Sequence, residues 1–159
     1  NLFHDTFFRR YSAFDFASRY DDGKDPKGIL TADLVLVGIS RTQKTPLAVY
    51  LANRNYRVAN IPLVPESQPP KELFDLSTSR IFGLTSSPLH LQELRRERLK
   101  SLGLPSSAEY ASKERINEEL QYAHGIMRQL GCPIIDVSTK AVEETADIII
   151  RHLDKNRMM

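Results

Sequence analysis

Residues 32–53 constrain the fold more than any other part of the chain. They begin with a short apolar run, ADLVLV at residues 32–37, which is typical of a strand buried inside a parallel sheet. Gly38 ends this run, and residues 46–53 then carry apolar side chains at helical spacing. The sequence therefore predicts a strand, a loop and a helix in immediate succession.

The connecting residues 38–45 (GISRTQKT), called the 38–45 loop below, come close to a phosphate-binding pattern. That pattern is Gly, four residues, Gly, Lys, and then Ser or Thr, and the chain departs from it only at Gln43. A side chain at Gln43 is compatible with the pattern if its backbone keeps a negative φ. An ordinary strand-to-helix turn with a surface lysine is the alternative. The predicted phosphate-binding residues are Gly38, Ile39, Ser40, Arg41, Thr42, Gln43, Lys44 and Thr45.

The matching residue types have physical reasons to stand in such a loop. Gly38 lets the backbone turn sharply off the strand, so that successive N–H groups can surround phosphate oxygens. The helix that follows adds its positive N-terminal end. Lys44 supplies a mobile positive charge for the outermost phosphate, and the Thr45 hydroxyl could hold Mg²⁺. Arg41 could stabilise charge on a transferred phosphoryl group, or it could form a structural salt bridge.

The remaining apolar segments alternate between strand and helix patterns. Strands are expected at residues 56–61, 80–84 and 133–137, and helices at residues 2–20, 88–102, 111–130 and 140–153. Residues 62–70 are rich in proline and should form a loop. This order predicts an α/β fold, a P-loop-type domain with a mostly parallel sheet flanked by helices. Gly38 and Ser138 both follow strand ends, so they could line one crevice.

Length and composition agree with a single nucleotide-binding catalytic domain over residues 1–159. Apolar residues make up 41% of the chain and charged residues 26%, as in ordinary soluble proteins. No apolar run approaches the roughly 18 residues of a membrane span, and a net charge of +2 does not by itself indicate nucleic-acid binding. The single cysteine, Cys132, excludes an internal disulfide and suits a reducing compartment. Because the chain starts at Asn1 in a patterned segment, we expect a processed chain or a fragment.

Two carboxylates are candidates for a group that handles a proton or binds a metal. Asp136 ends the predicted strand 133–137, where it could be a Mg²⁺ ligand or a base. Capping of the final helix by Asp136 or Ser138 is an equal alternative. Asp22 lies in the segment DDGKDPKG, where it could face the site or belong to a solvated turn.

Other polar residues allow both functional and structural interpretations. Arg95 and Arg98 lie three apart on one predicted helix, so they could grip phosphate or an acidic partner, or belong to a charged helix face. Cys132 precedes a proline and is expected to be buried and unactivated. The histidines show no metal-ligand spacing and are expected to be structural: His90, His124 and His152.

Four segments make the chain resemble one family. They are DDGKDP at residues 21–26, residues 32–52 around the loop, NIPLVPE at residues 60–66 and IDVSTKAVEETA at residues 135–146. These segments are similar to the regulatory proteins of pyruvate, phosphate dikinase and to the sister family that regulates phosphoenolpyruvate synthase. The resemblance extends from HDTFFRR near the start to about residue 153. Family members carry a further N-terminal region, which agrees with the expected fragment.

The resemblance implies a bifunctional enzyme, a serine/threonine kinase and a phosphorylase. Such proteins use ADP to phosphorylate a threonine beside the catalytic phosphohistidine of the dikinase, which inactivates it. They also use inorganic phosphate to remove the group as pyrophosphate, which reactivates the dikinase. Under this hypothesis Lys44 binds the transferring phosphate, Arg41 stabilises its charge, Thr45 holds any Mg²⁺, and Asp136 or Asp22 handles the proton.

The resemblance has further implications and one departure. Family members usually have Ser or Gly at the position of Gln43, whereas Arg95 and Arg98 match the family pattern. It implies a bacterial cytoplasmic protein that forms a homodimer, acts on the dikinase, and binds neither nucleic acid nor membrane. The nearest alternative is the same activity on phosphoenolpyruvate synthase. A small-molecule kinase and a non-catalytic nucleotide sensor using the same loop are the others.

Overall fold

A computed structural model describes residues 26–157 of the 159-residue chain. The predicted helix at residues 2–20 and the candidate Asp22 lie outside the described residues. The strands are β1 (Leu34–Gly38), β2 (Val58–Pro62), β3 (Ile81–Thr85) and β4 (Ile134–Asp136). The α-helices within the described range are α1 (Lys44–Ala52), α2 (Pro88–Ser101), α3 (Lys113–Leu130) and α4 (Val142–Arg157). Each strand and helix predicted within this range is present, with ends shifted by a few residues.

The four strands form one parallel sheet in the order β2-β1-β3-β4. β1 is central, with Val35 beside Ala59 of β2 on one side and Ile81 of β3 on the other. The chain first moves from β1 to β2 and then returns past β1 to form β3. Such a change of direction opens a crevice at the carboxyl ends of the strands, where parallel sheets bind ligands. The predicted α/β fold with a parallel sheet is confirmed.

An apolar core lies on each face of the sheet. On one face Leu36 packs with Leu51 of α1 and Ile149 of α4. On the other face Val37 belongs to the cluster that contains Met127 of α3, and α2 lies on this side as well. Because helices cover both faces, β1 is buried along its whole length rather than at alternate residues. This double burial explains why residues 34–37 (LVLV) are continuously apolar.

The segment after β2 differs from its prediction. Pro62 is the last residue of β2 rather than the first of a loop. A proline fits there because β2 is an edge strand of the described sheet, and its missing N–H interrupts no ladder. Two short 3₁₀ helices that the sequence analysis did not predict follow, Lys71–Asp75 and Thr78–Arg80. Fully buried Leu73 anchors the first of them in the core.

Two further predictions concern the cysteine and membrane insertion. Cys132 is buried as predicted, and its thiol lies 3.7 Å from the Met127 carbonyl oxygen. Burial raises the pKa of this thiol, so the unreactive neutral form is favoured. Across residues 26–157, no helix combines the length and apolar character that a membrane span requires.

Candidate functional site

The 38–45 loop connects the carboxyl end of β1 to the first turn of α1. Two of its residues adopt left-handed backbone conformations, Arg41 with φ +72° and Gln43 with φ +68°, and Thr42 between them does not. Alternation of this kind turns successive N–H groups toward one side and forms a concave surface that binds anions. The free N–H groups at the start of a helix extend such a surface. The backbone of the loop is therefore suited to phosphate.

Gln43 does not meet the condition of a negative φ that the sequence analysis set for it. Its left-handed conformation is the one that the glycine of the phosphate-binding pattern would adopt without strain. For a residue with a side chain this conformation costs about 1–2 kcal/mol. The Gln43 amide nitrogen donates a hydrogen bond to the Lys140 carbonyl oxygen at 3.3 Å, which offsets part of that cost. The contact also ties the loop to the segment that follows β4.

Glycine is required at position 38 because its surroundings leave no room for a side chain. Its φ lies outside the left-handed region, so a backbone conformation that favours glycine is not the reason for this residue. A Cβ atom at this position would lie 2.7 Å from the Leu84 carbonyl oxygen and 2.9 Å from the Thr42 hydroxyl oxygen. Glycine therefore allows the end of β1 to approach both β3 and the loop itself.

Lys44 is held against the loop instead of moving freely. The residue is only 7% exposed, and its ammonium donates a hydrogen bond to the Ile39 carbonyl oxygen at 2.9 Å. The Thr42 hydroxyl donates to the same oxygen at 2.7 Å. A partly desolvated ammonium attracts an anion more strongly than one in water, because the local dielectric constant is low. The prediction of a mobile charge is thus corrected to a preplaced one.

A cavity of about 430 Å³ opens on the loop. Its described lining consists of residues 40–46 together with Pro62, Val64 and Leu94. Its volume falls within the range of about 300–1,000 Å³ that is typical of ligand pockets. One part of the lining is the polar loop and the other part is apolar. A ligand with a phosphate end and an apolar end would match this division.

Thr45 and Arg41 are both exposed in this cavity. Mg²⁺ takes oxygen ligands, commonly one or two from the protein and the others from phosphate and water. The Thr45 hydroxyl at the start of α1 fits that requirement. Among residues 26–157, no group of three or more His, Cys, Asp and Glu side chains could hold a metal by itself. A metal here would therefore share its coordination with phosphate oxygens.

Asp136 lies at the end of β4 but is not among the described residues that line the cavity. One of its carboxylate oxygens accepts hydrogen bonds from the Ser138 hydroxyl at 2.6 Å and the Ser138 amide at 2.9 Å. These bonds, the hydroxyl first, hold the pKa of the Asp136 carboxyl below its ordinary value. Neither Asp136 nor Ser138 occupies the capping position of α4, because this helix begins at Val142 and is preceded by Ala141.

The Asp136→Asn variant should show how the hydrogen bonds from Ser138 to Asp136 make the stability of the protein depend on pH. A carboxyl whose folded pKa is depressed stabilises the protein above its unfolded pKa of about 3.9 and loses that contribution as the pH falls further. Asp136→Asn is therefore expected to be less stable than the wild type at pH 7, with a difference that shrinks below pH ~4. Urea unfolding at a series of pH values measures this. A difference that stays constant from pH 7 to pH ~3 would contradict the assigned contacts.

Arg95 does not grip a ligand as the sequence analysis considered. Its side chain is 0% exposed, whereas Arg98 on the same helix is exposed. Its guanidinium donates to both carboxylate oxygens of Glu119, at 2.9 and 3.0 Å. The sequence did contain a signal for this burial, because Leu91, Arg95 and Leu99 recur at the four-residue spacing of one helix face. Glu119, its partner, was not considered in the sequence analysis.

Two of the three candidate histidines have ordinary structural neighbours. The His124 ring nitrogen lies 3.0 Å from the Thr85 hydroxyl. The His152 ring packs edge-on against Phe82, with 5.3 Å between the ring centroids. For these two, the prediction of structural roles agrees with the contacts.

A second hollow, of about 330 Å³, lies between α1 and α4. Three carboxylates line it, Glu143, Glu144 and Asp147, together with Arg54. Carboxylates repel phosphate. The cavity on the 38–45 loop is therefore the better candidate for an anionic ligand.

Comparison with known proteins gives a consistent result. A family model described as kinase/pyrophosphorylase matches residues 1–150. The chain is 62% identical over 144 residues to a putative pyruvate, phosphate dikinase regulatory protein of Alkaliphilus metalliredigens, covering 91% of the chain and 52% of that relative. Relatives with the same name in Clostridioides difficile and Desulfitobacterium hafniense are 57% identical over 152 residues and 56% identical over 155 residues. These matches cover 96% and 98% of the chain, and 54% and 57% of the relatives. The chain spans about half the length of the curated relatives it matches.

Proposed function

Because the chain belongs to the kinase/pyrophosphorylase family, we propose that it transfers phosphoryl groups in two directions at the 38–45 loop. In one direction, a threonine hydroxyl of pyruvate, phosphate dikinase attacks the β-phosphate of ADP, and AMP leaves. In the other, inorganic phosphate attacks the phosphothreonine, so that pyrophosphate leaves and the hydroxyl is restored. The observation that carries the proposal is the concave loop backbone with Lys44 beside it at the carboxyl edge of the sheet.

The choice of the dikinase as protein substrate rests on the relatives. Their names identify them as putative regulators of that enzyme, and they are 56% to 62% identical to the chain. The chain covers about half of their length, so the substrate and the activity of the whole protein are part of the proposal. The homodimer and the bacterial cytoplasmic location are proposed from the resemblance alone.

One cradle can serve both reactions because they share a diphosphate arrangement. In the kinase direction, the transferred phosphoryl group starts on the phosphate oxygen of AMP. In the other direction, it ends on an oxygen of inorganic phosphate. AMP is the leaving group of the first reaction, and inorganic phosphate is the nucleophile of the second. The phosphate of AMP and the free phosphate can therefore occupy the same position in two similar in-line displacements. Fixed N–H donors and a preplaced ammonium would stabilise the charge in each of them.

The residues of the cavity take distinct roles in this proposal. Lys44 binds the transferring phosphate, because its ammonium can exchange the neutral Ile39 carbonyl for an anionic oxygen. Arg41, exposed in the same cavity, supplies a second positive charge. Thr45 would hold Mg²⁺, which adds positive charge at the phosphate oxygens when it is bound.

The proton of the threonine hydroxyl has two proposed acceptors, Asp136 and Asp22. The lowered pKa of Asp136 makes it a weaker base than an ordinary carboxylate, because the hydrogen bonds from Ser138 favour its ionised form. The Asp136→Asn variant therefore also addresses this question. Loss of the kinase reaction with binding of ADP retained supports Asp136 as the acceptor, whereas unchanged turnover leaves Asp22 as the remaining candidate.

A labelling experiment tests the proposed function. The protein is incubated either with ADP labelled in its β-phosphate or with ATP labelled in its γ-phosphate. Each nucleotide is tested with the dikinase, with phosphoenolpyruvate synthase, and with no protein acceptor. We expect label on a threonine of the dikinase and its release as labelled pyrophosphate when inorganic phosphate is added. Label on the synthase alone would change the target. Transfer from ATP without a protein acceptor would favour a small-molecule kinase, and ADP binding without any transfer would favour a nucleotide sensor.

A further inference from the structure

A buried ion pair lies directly behind the 38–45 loop. Arg95 of α2 is 0% exposed and makes a two-pronged hydrogen-bonded pair with Glu119 of α3, at 2.9 and 3.0 Å. The same guanidinium donates to the Tyr110 carbonyl oxygen at 2.9 Å and to the Ser40 carbonyl oxygen at 3.3 Å. Ser40 belongs to the loop, so the ion pair ends on the backbone of the candidate site.

The contact with Ser40 determines the direction of a loop amide. In a planar trans peptide the C=O and the following N–H point in opposite directions. The Ser40 carbonyl oxygen accepts a hydrogen bond from Arg95, which is completely buried, so this carbonyl group points toward the protein interior. The Arg41 N–H, in the same peptide unit, therefore points outward, and Arg41 lines the cavity. A phosphate-binding loop requires backbone N–H groups that point toward the bound phosphate.

Tyr110 holds the same residue by its side chain. Its hydroxyl lies 2.7 Å from the Ser40 hydroxyl. Its ring faces the Arg95 guanidinium, with 4.7 Å from the central carbon to the ring centroid. Ser40 is thus fixed at its carbonyl and at its hydroxyl by two residues that also contact each other.

The network continues to the other side of the cavity. Arg115 donates to Glu119 through Nε at 2.9 Å and pairs with both carboxylate oxygens of Glu66, one of them at 2.9 Å. Glu66 lies just after Val64, which lines the cavity. One carboxylate, Glu119, therefore connects the loop with the segment that follows β2.

A contribution to the stability of the fold is a weak explanation for a buried ion pair. Removing two charges from water is costly, and replacing a buried ion pair by apolar side chains of similar volume is often neutral or stabilising. The pair does provide a fixed direction for the hydrogen bonds at its end. The geometry therefore favours a role in positioning over a role in overall stability.

We propose that Arg95 and Glu119 are positioning residues that hold the Ser40–Arg41 peptide unit so that its N–H faces a bound phosphate. The proposal rests on the function proposed above. Arg95 acts through the backbone of the loop and does not touch the ligand. The pair sets how well the unliganded loop is organised, and thereby the affinity for the diphosphate part of ADP and for inorganic phosphate.

A double variant, Arg95→Met with Glu119→Leu, tests this proposal. It removes both charges together, so no charge of the pair is left buried without a partner. We expect the affinity for ADP, measured by calorimetry, to fall about tenfold or more, the effect of one misplaced charge-assisted hydrogen bond. The variant should still unfold in one cooperative urea transition, which shows that its affinity is measured on folded protein. Arg96→Met, on the exposed side of the same helix, is the matched control and should change neither the affinity nor the unfolding transition.

Two gentler variants keep the test decisive if the double variant does not fold. Tyr110→Phe removes only the hydroxyl contact with Ser40, and Arg95→Lys keeps the charge while losing the fork. Both should bind ADP more weakly than the wild type and more tightly than a folded double variant. Wild-type affinity in a folded double variant, or in both gentler variants, would overturn the proposal.

Lys44→Ala separates this inference from the proposed function. If Lys44→Ala loses ADP binding while the Arg95 and Glu119 variants keep it, the positioning role is overturned and the binding site stands. If Lys44→Ala binds ADP as the wild type does, or if the wild type binds neither ADP nor inorganic phosphate, the assigned site is wrong and the positioning role falls with it.

Discussion

Lys44→Ala is expected to lose the ADP-dependent and the phosphate-dependent reactions together, each by about a hundredfold to a thousandfold in kcat. The ammonium is buried beside the cavity, so its loss removes a preplaced positive charge from the position of the transferring phosphate. The fold should survive, because the Ile39 carbonyl oxygen keeps its hydrogen bond from the Thr42 hydroxyl. Transfer of labelled phosphate to the dikinase, and release of pyrophosphate from it, measure the two reactions.

The matched control for this variant is Lys100→Ala. Lys100 is an exposed lysine near the end of α2, and its loss should leave both reactions unchanged. Loss of one reaction with the other intact would contradict a shared cradle. Full activity of Lys44→Ala in both directions would contradict the assignment of the site.

Gly38→Ala is expected to disturb the loop through a single methyl group. The new Cβ would lie 2.7 Å from the Leu84 carbonyl oxygen, which belongs to the backbone of β3 and cannot move aside cheaply. Overpacking of this kind costs about 1–3 kcal/mol. A displacement of about 1 Å at a reacting centre can reduce the rate about a hundredfold. Urea unfolding and the labelling assay measure the two effects.

Gly125→Ala provides the matched control, because Gly125 lies in α3 with no atom within 4 Å of an added Cβ. That change should stabilise the protein by about 0.5–1 kcal/mol, since alanine is the better helix former. Normal activity and stability in Gly38→Ala would show that the loop tolerates a side chain there. The explanation of this glycine by close approach would then be wrong.

The order of strands and helices could be predicted because local patterns determine it. A continuously apolar run bounded by glycine indicates a strand covered on both faces, as β1 is. Helical spacing indicated α2 and α3, which the structure places at Pro88–Ser101 and Lys113–Leu130. The 3₁₀ helix Lys71–Asp75 was missed, because it depends on burial of Leu73 by distant residues.

The position of the candidate site along the chain could be predicted, but the conformation and contacts of its loop could not. The 38–45 loop is recognisable because a phosphate cradle needs particular residue types at fixed spacing. The left-handed conformation of Gln43 and the crowding at Gly38 depend on neighbours from β3 and the segment after β4. Patterns within one segment cannot supply those contacts.

The network behind the loop shows the same limit. Arg95 and Arg98 are both arginines on one helix, but only Arg95 faces the core. Helical spacing could have indicated that burial, but it could not identify Glu119 as the partner, because the two residues come from different helices. Pairing between helices is a property of the packed fold.

Amide chemical shifts test the central claim, that the 38–45 loop is a phosphate cradle, most directly. The measurement is a titration of the isotopically labelled protein with ADP and, separately, with inorganic phosphate. We predict that both ligands shift the amide signals of residues 39–45 most strongly, and that Lys44→Ala abolishes the change. Shifts concentrated around Glu143 and Asp147 in the second hollow, or no shifts with either ligand, would contradict the claim.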